Sequence, residues 1–278
     1  MKINVIIASR GQHHRLSAVI VSMMQLQSGK NDIEYLVGLD NDDEDSIRAM
    51  WGLIDHGNPV RTNIAPRSAS LGAINNRLLS MSNADVYLIT TDRAFIVTPD
   101  WDEVVATVVG TNPNKPFWLY SQQDPDATHP IIPDTFLRAM GGKWSPELFP
   151  FWFDDTWLAE IDFFVSGNVT KIPVEYAGKR GTSKRCRDIA FWGDFFAKTR
   201  PVRILIAEKI AEKFKGKLLD MEQKMDVVRA MSEEFIARAP LNEERFGDTS
   251  PPTPEYLKAK KRAEKILKDI SRGRYITP

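Results

Sequence analysis

Cysteine and histidine are scarce in this chain, and long apolar runs are missing from it. The sequence of 278 residues holds one cysteine, Cys186, and four histidines. A lone cysteine excludes an internal disulfide and any zinc site built from several cysteines, which is typical of a reducing compartment. No run of about 18 apolar residues occurs, so the sequence predicts no membrane span. The first residues enter a strand-like run without a cleavable signal pattern, and we therefore expect a cytoplasmic protein.

An excess of charge of one sign is also missing. Lysine and arginine number 37, and aspartate and glutamate also number 37. The chain as a whole therefore has no net electrostatic attraction to nucleic acid or anionic lipid, and any such attraction has to come from a local patch of charge. Hydrophobic residues make up 42%, which is enough for a full core. The length fits one large domain, or one domain with an appendage.

The first part of the chain alternates apolar runs with helical patterns. Strands are predicted at 3–8, 33–39, 60–64 and 86–91, and helices at 15–26, 47–54 and 71–81. This alternation predicts βαβ units and a mostly parallel sheet. Right-handed crossovers bring the carboxyl ends of such strands to one edge. We therefore expect Arg10, Asp40, residues 65–70 and Asp92 to share that edge.

The later part of the chain is less regular. The patterns predict a helix from Trp101 to about Gly110, a strand at 117–120, a polar loop at 122–133 and one or two strands within 165–176. A helix is expected from Asp188, mixed-charge helices from Pro201, and a last basic helix at 255–270. We therefore divide the chain into a domain at 1–200 and a helical extension at 201–278.

A single aspartate interrupts the most informative stretch of the sequence. The apolar strand that ends at Thr91 runs into Asp92, and an aromatic and β-branched run follows. An acid at the carboxyl end of a buried strand lies where open α/β sheets bind ligands. Its hard oxygens suit a divalent cation held against phosphates. The alternative is an aspartate that caps the loop or pairs with Arg93.

Two further segments point to the same edge. The loop at 40–45 holds five acids in six residues, and Asp40 is placed to accept a hydrogen bond from a nucleotide base or ribose. The alternative is that these acids cap the following helix. The stretch from Arg67 to Asn76 puts small residues and Gly72 at a helix start, which lets a ligand approach the backbone. Gly72 could equally be a packing contact.

Two adjacent acids, Asp154 and Asp155, open a predicted helix at 156–163 among many aromatic residues. First-turn acids are common because they complement the helix dipole. An apolar wall would also raise a carboxylate pKa toward that of a useful base. Rings such as Trp152 and Trp157 suit sugar recognition on the acceptor side, although most aromatic residues here would serve the core.

A basic loop at 179–187 carries five cations in nine residues, beginning with Lys179 and Arg180. It is either a solvated loop, a loop that neutralises a diphosphate leaving group, or a contact for nucleic-acid phosphates. The histidines lack metal-binding spacing. Only His129 lies in a polar loop near the predicted site.

Taken in order, these segments resemble the GT-A glycosyltransferases, in particular inverting family-two-like enzymes, including forms found in phages. The resemblance covers roughly residues 1–195. It is carried by residues 5–10, 39–42, 71–76, Asp92 with 98–101, and 153–155.

This resemblance implies a GT-A, Rossmann-like mixed sheet flanked by helices, with a nucleotide-sugar donor at the strand edge. Asp92 would hold Mn²⁺ or Mg²⁺ against the diphosphate, which stabilises the leaving group. Asp155 would deprotonate the acceptor hydroxyl, with Asp154 at the acidic position before it. The donor would contact these residues: Ser9, Arg10, Asp40, Asp42, Arg67, Gly72, Asn75, Thr91, Lys179 and Arg180.

Two departures from the family pattern concern the metal. Thr90 and Thr91 precede Asp92 where acids usually flank a variable position, and no histidine follows His129. Glu175 or Asp188 could replace the histidine as a metal ligand, or the basic loop could neutralise the diphosphate instead. Either change could also mean that catalysis has been lost.

We therefore expect a metal-dependent glycosyltransferase that moves a sugar from a nucleotide-diphosphate donor to a hydroxyl of a saccharide, a protein or a modified base in DNA. The cations of the last helix make a nucleic-acid acceptor conceivable. The alternative is a catalytically inactive module of this fold that binds nucleic acid or protein. A sugar nucleotidyltransferase is disfavoured because residues 9–12 are too poor in glycine.

Overall fold

The computed structural model describes most of the chain and divides it into two compact units. The described residues are 1–68, 70–111, 119–121, 129–150, 153–165, 170–177, 187–214 and 247–274, with residues 233, 237 and 244. Unit 1 comprises residues 1–68, 74–144 and 169–181. Unit 2 comprises residues 69–73, 145–168 and 182–278.

Unit 1 is built around a seven-stranded sheet. Its strands are β1 (Lys2–Ser9), β2 (Asp32–Asp40), β3 (Val60–Ala65), β4 (Val86–Thr91), β6 (Leu119–Ser121), β7 (Ile131–Pro133) and β8 (Thr170–Ile172), in the order β3-β2-β1-β4-β7-β6-β8. The first four strands are parallel, and β7 is antiparallel to both of its neighbours. A separate pair joins β5 (Phe95–Ile96) to β9 (Tyr176–Ala177). The mostly parallel sheet predicted from the sequence is confirmed.

Helices on the two faces of this sheet bury it. They are α1 (His13–Leu26), α2 (Glu44–Asp55), α3 (Leu71–Ser80), α4 (Trp101–Thr111) and α5 (Asp134–Ala139), of which α3 begins in unit 2. Alternate β1 residues Ile3, Val5 and Ile7 share a core cluster with Leu16 and Val19 of α1. Ile6 is also fully buried. Because helices cover both faces, β1 is a mostly apolar run, with buried Asn4 as its polar exception, rather than an alternating one.

Unit 2 is helical, with an aromatic core. Its helices are α6 (Asp154–Val165), α7 (Ile189–Lys198), α8 (Arg200–Lys213) and α9 (Pro254–Ile270), and α6 packs on α8 while α7 packs on α9. Phe149 lies at the centre, with ring centroids 5.4–6.2 Å from those of Phe153, Trp157, Trp192, Phe195 and Phe196. Among the described helices of both units, none is long and apolar enough to cross a membrane.

Two predicted segments differ from the structure. Val165 ends α6 instead of opening a strand, because a short apolar run does not distinguish a buried helix from a buried strand. Residues 131–133 form β7 inside the predicted polar loop. This strand spans only three residues and ends in a proline, so the sequence carries no periodic signal for it.

Candidate functional site

Ser9 and Asp92 join the carboxyl ends of β1 and β4. Ser9 Oγ donates a hydrogen bond of 2.6 Å to Asp92 Oδ2, and both residues are buried. In the sheet, β2, the next strand along the chain, pairs with one edge of β1, and β4 pairs with the opposite edge. Asp92 therefore lies at the topological switch point of the sheet, which is where open α/β sheets bind ligands.

Arg10 links the ends of β1 and β2 beside this pair. Its Nη1 lies 2.6 Å from both Asp40 Oδ2 and Asp42 Oδ1, and its Nη2 donates to Asp42 Oδ2 at 2.8 Å. The hydrogen bond from Arg10 lowers the pKa of Asp42 to about 2, with a smaller contribution from the charge of Arg67. Asp40 is buried at the end of β2. The guanidinium is thus held in one orientation by two carboxylates.

A third contact joins the same two loops. The Gly11 N–H donates to Asp43 Oδ2 at 2.6 Å, and Gly11 has a φ of 63°. Glycine adopts this left-handed conformation without the steric cost that a Cβ would add. Asp43 is the N-cap residue of α2, but its side chain makes no capping hydrogen bond. Its carboxylate instead links the loop at 40–45 to the end of β1.

Asp92 is suited to a cation that arrives with its own oxygen ligands. Its Oδ1 lies 3.8 Å from Arg93 Nε. No group of three or more His, Cys, Asp or Glu side chains that could hold a metal ion occurs in the described residues. Mg²⁺-type ions are commonly bound by one or two carboxylates plus substrate phosphates. Asp92 fits that arrangement, whereas a metal cage made only of protein ligands is not found in the described part of the chain.

The other predicted site residues, on the donor and acceptor sides, lie at varied depths. Thr91 ends β4, and its Oγ1 accepts a 3.4 Å hydrogen bond from the Arg93 N–H. Asn75 is buried on α3, and Arg67 is exposed. The His129 ring lies 4.9 Å from that of Tyr176 in β9. Three predicted site residues lie outside the described residues: Trp152, Lys179 and Arg180.

In unit 2, Asp154 is a buried carboxylate at the start of α6. Burial raises its pKa to about 7; the charge of Asp155 adds to this, and hydrogen bonds from Ser145 and the Gly72 N–H oppose it. Gly72 has no room for a side chain, because a Cβ there would overlap Ser145 Oγ and lie 2.8 Å from Asp154 Oδ1. Gly72 is therefore required by the close approach of these two residues.

The backbone is strained directly before Asp154. Phe153 has a φ of 81°, a region that bulky residues rarely occupy. Its ring is held by Phe196, with centroids 5.2 Å apart and planes at 22°. Such strain persists only where the surroundings impose it, and it is frequent at functional sites.

Asp155 and Trp157 differ from Asp154 in their surroundings. Asp155 is partly exposed, and its Oδ1 accepts hydrogen bonds from the Thr156 N–H and Oγ1 at 2.7 and 3.3 Å. Trp157 is 4% exposed and packs on Phe149 and on the guanidinium of Arg203. Packing inside unit 2 thus accounts for the aromatic character of this position.

Ser145 and the buried ion pairs of Glu160 were not found by sequence reasoning. Ser145 is followed by a proline in a loop, a pattern without a specific meaning. Glu160 looks like an ordinary helix residue, although its carboxylate contacts the guanidinium groups of Arg200 and Arg203. The spacing of Arg200 and Arg203 at the start of α8 is the one local signal, and it does not identify a partner.

The fold is that of the GT-A glycosyltransferases. Residues 1–349 of TarS from S. aureus superpose with a TM-score of 0.58 at 12% identity, covering 97% of this chain and 80% of that one. The mannosyltransferase PcManGT from Pyrobaculum calidifontis, in complex with GDP-Man and Mn²⁺, has a TM-score of 0.52 at 11% identity, covering 98% of this chain and 82% of that one. Neither a protein-family model nor a curated protein matches this sequence.

Proposed function

We propose that this protein transfers a sugar from a nucleoside-diphosphate donor to an acceptor hydroxyl. One observation carries the proposal: Ser9 with Asp92, and Arg10 with Asp40, lie at the carboxyl ends of three adjacent parallel strands in a GT-A fold. TarS in complex with UDP-GlcNAc, at a TM-score of 0.59, and PcManGT with GDP-Man and Mn²⁺ support a donor of this chemical class.

The donor nucleotide is proposed to lie against Arg10 and its two carboxylate partners, Asp40 and Asp42. Asp40 accepts a hydrogen bond from the base or ribose, and Arg10 keeps that carboxylate oriented at 2.6 Å. Arg67, whose charge helps to lower the pKa of Asp42, adds a second cation near these carboxylates. Because the two carboxylates hold the guanidinium before the donor arrives, little ordering remains to be done on binding.

The diphosphate is proposed to lie at Asp92 together with Mn²⁺ or Mg²⁺. The cation, when bound, neutralises charge on the departing diphosphate. Ser9 orients the Asp92 carboxylate through their 2.6 Å hydrogen bond. Asp92 contributes a single carboxylate, so the cation is expected to bind well only when the diphosphate is present.

Asp155 is proposed as the general base. The acceptor oxygen forms a bond to the anomeric carbon, the bond from that carbon to the diphosphate breaks, and the acceptor proton passes to Asp155. A single displacement of this kind inverts the anomeric configuration. The acceptor class stays open among a saccharide, a protein and a modified base in DNA.

A thermal-shift experiment with nucleoside diphosphates tests the donor site. UDP, GDP, ADP and CDP are each added with and without Mn²⁺, and a ligand at about 100 times its Kd stabilises by about 2.7 kcal/mol. We expect at least one diphosphate to raise Tm by about 5 °C or more, and Mn²⁺ to enlarge that shift. Asp92→Asn should lose the manganese-dependent part and keep the rest.

Asp85→Asn is the matched control. Asp85 directly precedes β4, at the end of the strand opposite to Asp92, and accepts a hydrogen bond from the Lys2 N–H. This control should keep the whole shift. Asp155→Asn should also keep it while abolishing release of nucleoside diphosphate from the matching nucleotide sugar. Absence of a shift with every diphosphate would contradict the proposal.

A further inference from the structure

Within unit 2, one side of helix α9 packs against α7 and the residue that precedes α7. Tyr256 and Ala263 are buried, and Tyr256 Oη donates to Asp188 Oδ2 at 2.7 Å while accepting from Trp192 Nε1 at 3.2 Å. Lys260 Nζ lies 2.6 Å from the same carboxylate. The helix begins with Thr253, whose side chain accepts from the Tyr256 N–H. These contacts set which side of the helix faces the solvent.

The opposite side of α9 is a row of cations, which we call the basic face. It consists of five exposed residues: Lys258, Lys261, Arg262, Lys265 and Lys268. Their spacing of three, four, seven and ten residues keeps them on one side of a helix, over about 15 Å of its length. Arg272 continues the row beyond the helix end.

Few acids offset the basic face. Residues 254–274 hold eight cations and three acids. Glu255 and Glu264 lie at its margins on a helical projection, and Asp269 lies within it. Within the described part of the chain, none of the five cations forms an ion pair, whereas Lys260 on the packed side does. Because the whole chain has no net charge, this positive potential is local.

We propose that the basic face binds the phosphate backbone of duplex nucleic acid. Cations repeat along the helix backbone at about 5.4 Å per turn, and a duplex offers phosphates at a regular spacing along its axis. An α-helix also fits the width of the major groove. The helix backbone and the duplex are both ordered before they meet, so the conformational entropy lost on binding comes mainly from the five long side chains.

The composition of the helix disfavours two other anionic partners. Insertion into a lipid surface needs a broad apolar side next to the cations, and the large apolar residue exposed on this helix is Leu257 at one margin. Single-stranded nucleic acid is held largely by stacking on aromatic side chains. Tyr256, the aromatic residue of α9, is buried. A partner that offers regularly spaced phosphates, and needs neither aromatic stacking nor membrane insertion, is a nucleic-acid duplex.

Fluorescence anisotropy with a labelled 20-base-pair duplex tests this surface, using the full chain between 50 and 300 mM salt. Each phosphate contact contributes about −0.9 to the slope of log K against log salt, so five contacts predict a slope of about −4.5. The five basic-face residues are then all replaced by Gln, a good helix former. This variant should bind at least about 100-fold more weakly at 50 mM salt, with a slope near zero.

A matched control removes the same charge elsewhere, by replacing five exposed cations with Gln: Arg15, Lys30, Arg48, Lys209 and Lys213. It should bind the duplex as the native chain does. A second variant, Lys261→Glu with Lys265→Glu, gives the same answer with two changes if the five-residue variant does not fold. It should weaken binding by about tenfold or more.

Several outcomes would overturn the proposal. One is no binding of the native chain to the duplex at 50 mM salt. Others are an equal loss in the control variant, or tighter binding to a single strand or to phosphatidylglycerol vesicles than to the duplex. The assay contains no nucleotide sugar and no Mn²⁺, so its outcome is independent of the thermal-shift test of the donor site.

Discussion

At the scale of single residues, Asp154 is a buried carboxylate with a strongly raised pKa. Its pKa of about 7 in the folded chain lies above its ordinary value of 3.8 because the side chain is buried. A raised pKa means that folding favours the protonated carboxyl. The resulting stabilisation is complete below about pH 4 and is lost as the pH rises through 7.

Asp154→Asn should remove this pH dependence. The free energy of unfolding of the native protein is expected to fall between pH 4 and 8, and that of the variant to fall less, as measured by urea denaturation. Asparagine keeps the shape and can still accept the Gly72 N–H. Asp85→Asn, at an exposed position, should follow the native curve. Parallel curves for Asp154→Asn and the native protein would mean that Asp154 is ionised throughout this range.

Gly72→Ala tests the close approach that surrounds the same carboxylate. The added Cβ would overlap Ser145 Oγ and crowd Asp154 Oδ1 at 2.8 Å, so we expect a loss of about 1–3 kcal/mol in stability, typical of overpacking. Gly72→Ala with Ser145→Ala should recover part of that loss because the nearest atom is removed.

Gly52→Ala is the control for this substitution. Gly52 lies in α2, and a Cβ there would have no heavy atom within 4 Å. Alanine should therefore be neutral or stabilising by about 0.5–1 kcal/mol through helix propensity. Equal effects at both glycines, in thermal or urea melts, would refute a packing requirement at residue 72.

At the scale of helices and strands, α6 and α8 are joined by a buried charge cluster. Glu160 Oε1 accepts from Arg200 Nε at 2.9 Å, and Glu160 Oε2 contacts Arg203 Nε. Arg203 is fully buried, donates to Thr199 Oγ1 and the Phe196 carbonyl, and lies over the rings of Trp157 and Phe196.

Glu160→Gln should destabilise the protein by about 3 kcal/mol, because it leaves a buried guanidinium without its charge partner. Thermal melts at constant pH measure the change. Asp45→Asn is the control, since Asp45 and Arg48 form an exposed pair at 3.5 Å, and its removal should cost less than about 0.5 kcal/mol. A loss at Glu160 no larger than at Asp45 would show that solvent screens the buried cluster.

Strands β1, β2 and β4 could be predicted because each is a mostly apolar run followed by a turn signal. Strand β3 could be predicted because β-branched residues alternate with polar ones between two turn signals. The strand predicted at 86–91 has the same bounds in the structure, Val86–Thr91. Strand β7 could not be predicted because three residues carry no periodicity, and its place between β4 and β6 depends on pairing with both. Val165 was predicted to begin a strand, but it is the last residue of α6.

At the scale of the whole molecule, the candidate site depends on contacts between residues far apart in the chain. Ser9 and Asp92 are separated by 83 positions, and Arg10 and Asp40 by 30. The sequence predicted that Arg10, Asp40 and Asp92 share one edge, because parallel strands place their carboxyl ends together. It did not predict the partners, since a hydrogen bond between distant side chains leaves no local pattern.

The sequence by itself determined the alternation of strands and helices, the sheet edge that carries the acids, and the cluster of cations in the last helix, because periodicity and charge are local properties. The tertiary structure alone decided that Ser9 meets Asp92, that Asp154 rather than Asp155 is buried, and that Gly72 is required by Ser145. Each of these outcomes depends on which distant segment excludes water from a side chain. Burial of that kind follows from packing and not from the neighbours of a residue in the chain.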